Sequence, residues 1–270
     1  MIIGKAISPF AIKRRNGGGG GTDADAQAFI TASGISGTEA TAINTLVVNL
    51  KSANIWTKMK AAYPMVGGTA TSCKWNLVNP VDSNAAYRLV FSGGGTFSAN
   101  GYQPNGTNAY ANTFLAPSAF YSTNIHLSYY SRTSAIGTVL DIGCSQISGP
   151  TNYATLAPAR AAVYGQTTNG TVNYLAQVNS LGFFIAAKLT NSSRKVFRNG
   201  IVNNLTVTTD SNNLPNTNAY IGAINDNGTA AFYSSKQCAF ASIGDGLTDA
   251  EALAFYNAVQ TFNTTLNRQI

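Results

Sequence analysis

Lys195-Val196-Phe197-Arg198-Asn199-Gly200-Ile201-Val202-Asn203 is the stretch whose reading decides the fold. Val, Phe and Ile suit a pleated, half-buried surface. Asn-Gly accepts φ > 0 at both central positions, as a type I′ hairpin turn demands. The stretch therefore reads as a β-hairpin. Outward from it lie four more short apolar runs: Tyr87-Arg88-Leu89-Val90-Phe91, Ile125-His126-Leu127-Ser128-Tyr129-Tyr130, Leu181-Gly182-Phe183-Phe184-Ile185 and Tyr220-Ile221-Gly222-Ala223-Ile224. Clusters of Gly, Asn, Ser and Thr separate them. Many short strands with such punctuation predict a sandwich or barrel over residues 67–270. Composition agrees: only 10% of residues are charged, 44% are hydrophobic, and 13 Tyr and 13 Phe run through the chain, too many for a disordered sequence.

Both flanks of this region read as helical. In residues 23–66, Asp23 and Asp25 offer N-caps to a short helix that Gly34 ends. Ser36-Gly37-Thr38-Glu39 has the spacing of a capping box, and Ile43, Leu46, Val47 and Leu50 follow at one-face spacing. Ile55, Trp56 and Met59 suggest a further turn before Pro64. At the other end, Thr248-Asp249-Ala250-Glu251 is a second capping box, leading into an apolar stripe of Phe255, Tyr256, Val259 and Phe262.

Residues 1–22 differ from everything after them. They hold Lys5, Lys13, Arg14 and Arg15 and no acid, which is four of the chain's seven net positive charges. The five-glycine run Gly17, Gly18, Gly19, Gly20 and Gly21 follows; it adds nothing to a core and reads as a hinge or tether. The expectation is an extended basic arm that binds a partner, with Ile2, Ile3, Ile7, Phe10 and Ile12 giving apolar contacts and Lys13, Arg14 and Arg15 meeting an acidic surface. The rest of the chain is nearly neutral. Its one basic run, Arg194 to Arg198, falls in the hairpin and reads as a strand face, so no direct nucleic-acid contact is expected. No apolar run is long enough to span a membrane, and the N-terminus lacks the pattern of a secretory signal. Cys73, Cys144 and Cys238 are sparse and odd in number, which predicts small buried hydrophobes in a reducing compartment.

The order of motifs in the second half carries a resemblance. A strand ending in Asn199-Gly200 precedes Leu214-Pro215-Asn216 and Tyr220-Ile221-Gly222-Ala223. Then come Ala239-Phe240-Ala241-Ser242-Ile243-Gly244 and Leu247-Thr248-Asp249-Ala250-Glu251. This resembles the concanavalin A-like, laminin G-like jelly-roll superfamily over residues 85–270; upstream, Pro104-Asn105-Gly106-Thr107-Asn108-Ala109-Tyr110-Ala111 is similar to an early strand of that family. Residues 23–270, with Ala53-Asn54-Ile55-Trp56-Thr57-Lys58-Met59, also resemble virion structural proteins of tailed bacteriophages, of head fibre, tail fibre or decoration type. The resemblance implies a mainly β, concanavalin A-like jelly-roll sandwich, with an N-terminal helical segment as collar or oligomer interface and a C-terminal helix. It also implies a subunit made in the host cytoplasm and placed in the virion, docked by its arm to capsid, portal or tail proteins, and homo-oligomeric.

Chemistry is sparse. Sandwich-fold glycosidases need two carboxylates across the scissile bond, and the chain has two glutamates, Glu39 and Glu251, both at the fourth position of a capping box. That weighs against a polysaccharide depolymerase, and no catalytic residue is expected. His126, the only histidine, sits in an alternating strand opposite Ile125, Leu127 and Tyr129, with no nucleophile elbow nearby; a structural or surface place is expected. Calcium is the one metal weighed, because laminin G-like relatives bind it at the sandwich rim; Asp141 and Asp226 are the candidate ligands. Against that stands the simpler reading of Asn225-Asp226-Asn227-Gly228 as a turn. Gly93-Gly94-Gly95 likewise reads as a turn, since no Gly-Lys-Ser/Thr follows. Tyr102, Tyr153, Tyr164 and Tyr174 lie in polar surroundings and are the candidates for stacking on a sugar, for a carbohydrate-binding module reading a host-surface polysaccharide.

Overall fold

The computed structural model describes residues 21–119, 124–135, 137, 139–147, 151–157, 162–166, 174–176, 179–190, 193–205 and 214–270. The chain enters through α1 (Ala24–Ser33) and α2 (Gly37–Ser52), then a 3-10 turn at Trp56–Lys58 and β1 (Met59–Tyr63). A four-residue α3 (Ala70–Cys73) precedes β2 (Val90–Ser92), β3 (Thr96–Ser98), β4 (Gly101–Gln103) and β5 (Tyr110–Asn112). The long strands follow: β6 (Ile125–Ser131), β7 (Ile142–Ile147), β8 (Thr151–Ala157), β9 (Ala162–Gln166), β10 (Tyr174–Ala176), β11 (Gly182–Thr190), β12 (Ser193–Arg198) and β13 (Ile201–Leu205). The described chain closes with β14 (Tyr220–Ile221), β15 (Ile224–Asp226), β16 (Thr229–Ala231), β17 (Cys238–Gly244) and α4 (Asp249–Thr265).

These strands make two sheets packed as a jelly-roll sandwich, with the helices as a third layer. Sheet I runs β13-β12-β11-β6-β17-β4-β3, with β1 paired to β17; sheet II runs β10-β9-β8-β7-β14-β5-β2, with β15 on β7 and β16 on β15. The strand period of two decides which core each residue joins. On β11, Phe184 and Ala186 point between the sheets with Leu127, Tyr129, Ile142, Leu156 and Ile221. Their neighbours Phe183, Ile185 and Ala187 point the other way, onto Leu46, Val47, Leu50, Phe255, Val259 and Phe262 of α2 and α4. Phe183 and Phe255 meet edge to face at 5.1 Å, a favoured geometry for aromatic pairs.

The hairpin read from Asn199-Gly200 is present: Arg198 pairs with Ile201, and the turn residues have φ of 50° and 77°. Asn225–Gly228 also reads correctly as a turn, joining β15 to β16. The Arg194–Arg198 run makes contacts within the fold. Lys195 bonds Asp249, and Arg198 donates to Leu181 O while its guanidinium covers the Phe184 ring.

Two expectations for the helical ends need correction. Ser36 makes no side-chain cap bond; the Glu39 carboxylate instead accepts from the Gly67 amide at 2.9 Å. Gly67 stands at φ 80° in a turn whose amide has no helical or strand partner, and that tertiary acceptor displaces the local box. The box at Thr248 and Glu251 does form, and Lys58 adds an ion pair to Glu251 at 2.7 Å. The segment 23–66 is also not helical throughout. It contains β1, which pairs with β17 from Met59↔Gly244 to Tyr63↔Ala241, and its helices share one apolar cluster with α4 and sheet I. An amphipathic helix gains stability only by burying its stripe, and the nearest apolar surface is that sheet.

Near the C-terminus, Arg268 ties the layers together. It is 1% exposed, bonds Asn263 Oδ1 and donates to the carbonyls of Pro64, Met65 and Ala239 at 2.6–2.9 Å.

Candidate functional site

The arm candidates from Ile2 to Arg15, with Gly17–Gly20 of the hinge, lie outside the described residues. Gly21 is exposed and has open space where a Cβ would stand. Among the sugar candidates, Tyr102 requires correction. It is fully buried and stacks on Phe97 at 5.2 Å and against Phe91 at 4.9 Å, so its ring belongs to the sandwich core. Polar neighbours in sequence misled, because β4 turns Tyr102 inward while Gln103 stays at the surface. Tyr153, Tyr164 and Tyr174 fall on β8, β9 and β10. The register pairs Tyr164 with Tyr174 and Tyr153 with Ser145; the role read for their side chains falls outside the described part of the structure.

The calcium candidates are committed elsewhere. Asp141 is fully buried, accepts a hydrogen bond from Ser234 Oγ and holds the Lys236 ammonium at 3.2 Å. A cation, the Lys236 side chain, already fills its inner side. Burial raises the Asp141 pKa, and Lys236 and Ser234 oppose that rise. Asp226 accepts from Ser145 Oγ. Among the described residues no three His, Cys, Asp or Glu side chains converge as a metal site would require.

His126 is buried, not superficial. Its Nδ1 lies 2.6 Å from Asp245 O, so that nitrogen carries the proton; Nε2 then accepts from Ser242 Oγ at 2.9 Å, and Ser128 continues the chain at 2.6 Å. A serine hydroxyl on a neutral histidine is the start of a nucleophile pair, but His126, Ser128 and Ser242 are all 0% exposed beneath Phe255, where no substrate reaches. Burial is the main reason its pKa falls to about 4, with the Lys58 charge adding and the Asp245 bond opposing. The cysteines behave as read: all three are free and buried, and burial pushes Cys73 and Cys144 up to about 12. Neither glutamate is free for acid–base work, since Glu39 holds Gly67 and Glu251 holds Thr248 and Lys58.

The sequence reading missed a cluster at one end of sheet II. Tyr110 on β5 stacks on Tyr220 of β14 at 4.6 Å with ring planes 22° apart, and Tyr233 lies 6.5 Å from Tyr110. Tyr220 is buried, whereas Tyr110 and Tyr233 keep part of their surface. Next to Tyr233 in the chain, Phe232 is 45% exposed at φ 54°, a conformation that costs a bulky residue on the order of 1–3 kcal/mol. Four connections fix this end. Gly106 donates to Ser234 O at 3.0 Å, Ser234 donates to Gly222 O at 2.8 Å, Leu140 donates to Phe232 O at 3.0 Å and Gly222 donates to Asp141 O at 2.8 Å. The Asn105 side chain organises the adjoining loop, accepting from the amides of Thr107, Asn108 and Ala109 and donating to Gly93 O. The signal in sequence was the alternation in Tyr110-Ala111-Asn112 and in Tyr220-Ile221. It puts each tyrosine opposite a core residue, but not beside the other.

No known family's sequence profile and no curated protein matches this chain. Among solved structures it is similar to a mutant Trypanosoma rangeli sialidase displaying trans-sialidase activity, at 12% identity and a TM-score of 0.49, over 82% of this chain and 39% of that one. It is also similar to the NanB sialidase from Streptococcus pneumoniae, at 14% identity and 0.43, over 56% of this chain and 26% of that one. A third is domain 4 of AbnA, a GH43 extracellular arabinanase from Geobacillus stearothermophilus, in complex with arabinotriose, at 12% identity and 0.44, over 73% of this chain and 98% of that one. This chain thus spans well under half the length of the sialidases it resembles. Likenesses this distant decide neither family nor activity; the sandwich rests on the sheets themselves.

Proposed function

We propose that this chain is a structural subunit of a bacteriophage virion, of head fibre, tail fibre or decoration type. Residues 1–16 anchor it to a capsid, portal or tail protein, and the sandwich is presented outward. One observation carries the reading: four basic residues and no acid precede five consecutive glycines, ahead of a body in which Glu39, Lys58, Glu251, Asp141 and Lys236 are engaged in the fold. A five-residue glycine tether tolerates angular mismatch, which suits an oligomer mounted on a site of different symmetry. Docking through the arm, without catalysis, is the mechanism. Deletion of residues 1–21 is expected to leave a folded sandwich that no longer enters particles. Normal occupancy of the truncated protein in purified particles would sink the anchor role.

A second reading, carbohydrate binding at the distal end of the same body, is favoured by the partly exposed aromatic cluster of sheet II. A polysaccharide depolymerase is not favoured, because both glutamates are engaged, Glu39 by Gly67 and Glu251 by Thr248 and Lys58.

A further inference from the structure

We propose that Tyr110, Tyr220 and Tyr233, with Phe232 next to Tyr233 in the chain, offer a stacking platform for a neutral saccharide, made of none of the tyrosines read from the sequence as sugar candidates. The proposal rests on the carbohydrate-binding reading and gives it an address.

Exposure is the first argument. Folding buries aromatic rings because water disfavours them, yet Tyr110 and Tyr233 remain partly open and Phe232 is 45% exposed, whereas Phe29, Phe183, Phe184, Phe197, Phe240, Phe255 and Phe262 are buried. Tyr220 backs Tyr110 from one side at 4.6 Å, so the pair presents a firm, flat surface. Backbone conformation is the second. Phe232 is held at φ 54°, where glycine or asparagine would fit without strain. A strained position that keeps an aromatic ring at the surface fits a role in binding.

Charge complementarity selects the occupant. Residues 103–119, 214–225 and 227–235 contain no charged side chain. Asp226 is engaged by Ser145, and Lys236 is buried on Asp141. Among the described residues, these segments offer an anionic sugar, phosphate or nucleic acid no cation, while a neutral pyranose finds π-faces to stack on and exposed Thr107 and Asn108 at the rim for its hydroxyls. The anchor is rigid. Ser234, next to Tyr233, is bonded to Asp141 and Gly222, so little ordering remains for the ligand to impose.

The test titrates full-length protein with cellotriose, maltotriose and mannotriose at millimolar concentration, by calorimetry and saturation-transfer NMR. At least one is expected to bind, with an affinity unchanged by salt between roughly 50 and 500 mM. Tyr110→Ala is expected to weaken that binding about tenfold or more. Phe232→Gly is expected to weaken it too, while its melting temperature holds or rises because the strain is gone. If the wild type binds but both variants bind equally well, the platform is wrong and the carbohydrate reading stands. A Phe232→Gly protein that melts lower and binds normally makes Phe232 structural and overturns its role. No binding of any of the three sugars to the wild type overturns both the platform and the reading beneath it.

Discussion

Sheet I and sheet II are built from the same kinds of residue but meet different neighbours. Sheet I is covered on both sides: β6 and β17 are buried at every position, because the sandwich takes one face and α2 and α4 take the other. Sheet II has a core face of Ile142, Cys144, Ala154 and Leu156, and on its other side Tyr110 and Tyr220 stack with ring surface left over. Similar strand chemistry thus yields a structural layer where helices cover it and a candidate binding surface where, among the described residues, none does. In the helix-covered half a change in pH or packing should register as stability; in the other half a change at the open tyrosines should register as binding, and a change at the buried Asp141–Lys236 pair as stability.

Arg268→Ala is the strongest way to break the covered half. It strands the carbonyls of Pro64, Met65 and Ala239 together with Asn263, all buried. Each orphaned group costs on the order of 1–3 kcal/mol, so a loss on the order of 5 kcal/mol is expected in urea unfolding. Hydrogen exchange should show α4 and β1 loosening before sheet II.

Asp141→Ala attacks the other half. It leaves the Lys236 ammonium buried with no counter-charge, which should cost about 3–5 kcal/mol. Exchange protection should fall first in β7, β14 and the Phe232–Lys236 segment. If β6 and α4 open at the same denaturant concentration, the two halves are one cooperative unit and the contrast between them is thermodynamically empty.

The smallest effect is a pH dependence from His126. Its folded pKa of about 4 lies below the ordinary 6.5, so the unfolded chain binds the proton more readily between those values. The neutral histidine's contribution is complete above about pH 6.5 and is lost as pH falls toward 4, by about 3 kcal/mol. Urea midpoints measured from pH 7.5 to 4 should record that slope, and His126→Gln should flatten it. An unchanged slope in the variant would mean that carboxylates, not His126, set the acid limit.

Much of this was legible locally. Asn199-Gly200 announced its hairpin because the turn needs two positive φ values and those residues supply them. Asp23, Gly34 and Thr248 marked helix ends because capping is satisfied within four residues. Glu39 shows the limit: its spacing fits a box, but the stronger claim on its carboxylate comes from Gly67, 28 positions on. Tyr102 failed, and His126 was left between a structural and a surface place, since alternation along a strand says which residues share a face but not what covers that face.

The sequence by itself determined the mainly β body, the helical flanks, the neutral character of the chain after residue 22 and the isolated basic, glycine-terminated segment before it. Those follow from propensity, periodicity and charge, which act over a few residues. Only the tertiary structure decided that the early helices seal sheet I with α4, that Asp141 already holds a cation in Lys236, and that Tyr110 meets Tyr220. Each of those is a contact between segments far apart in the chain, fixed by which apolar faces found one another in the folded core.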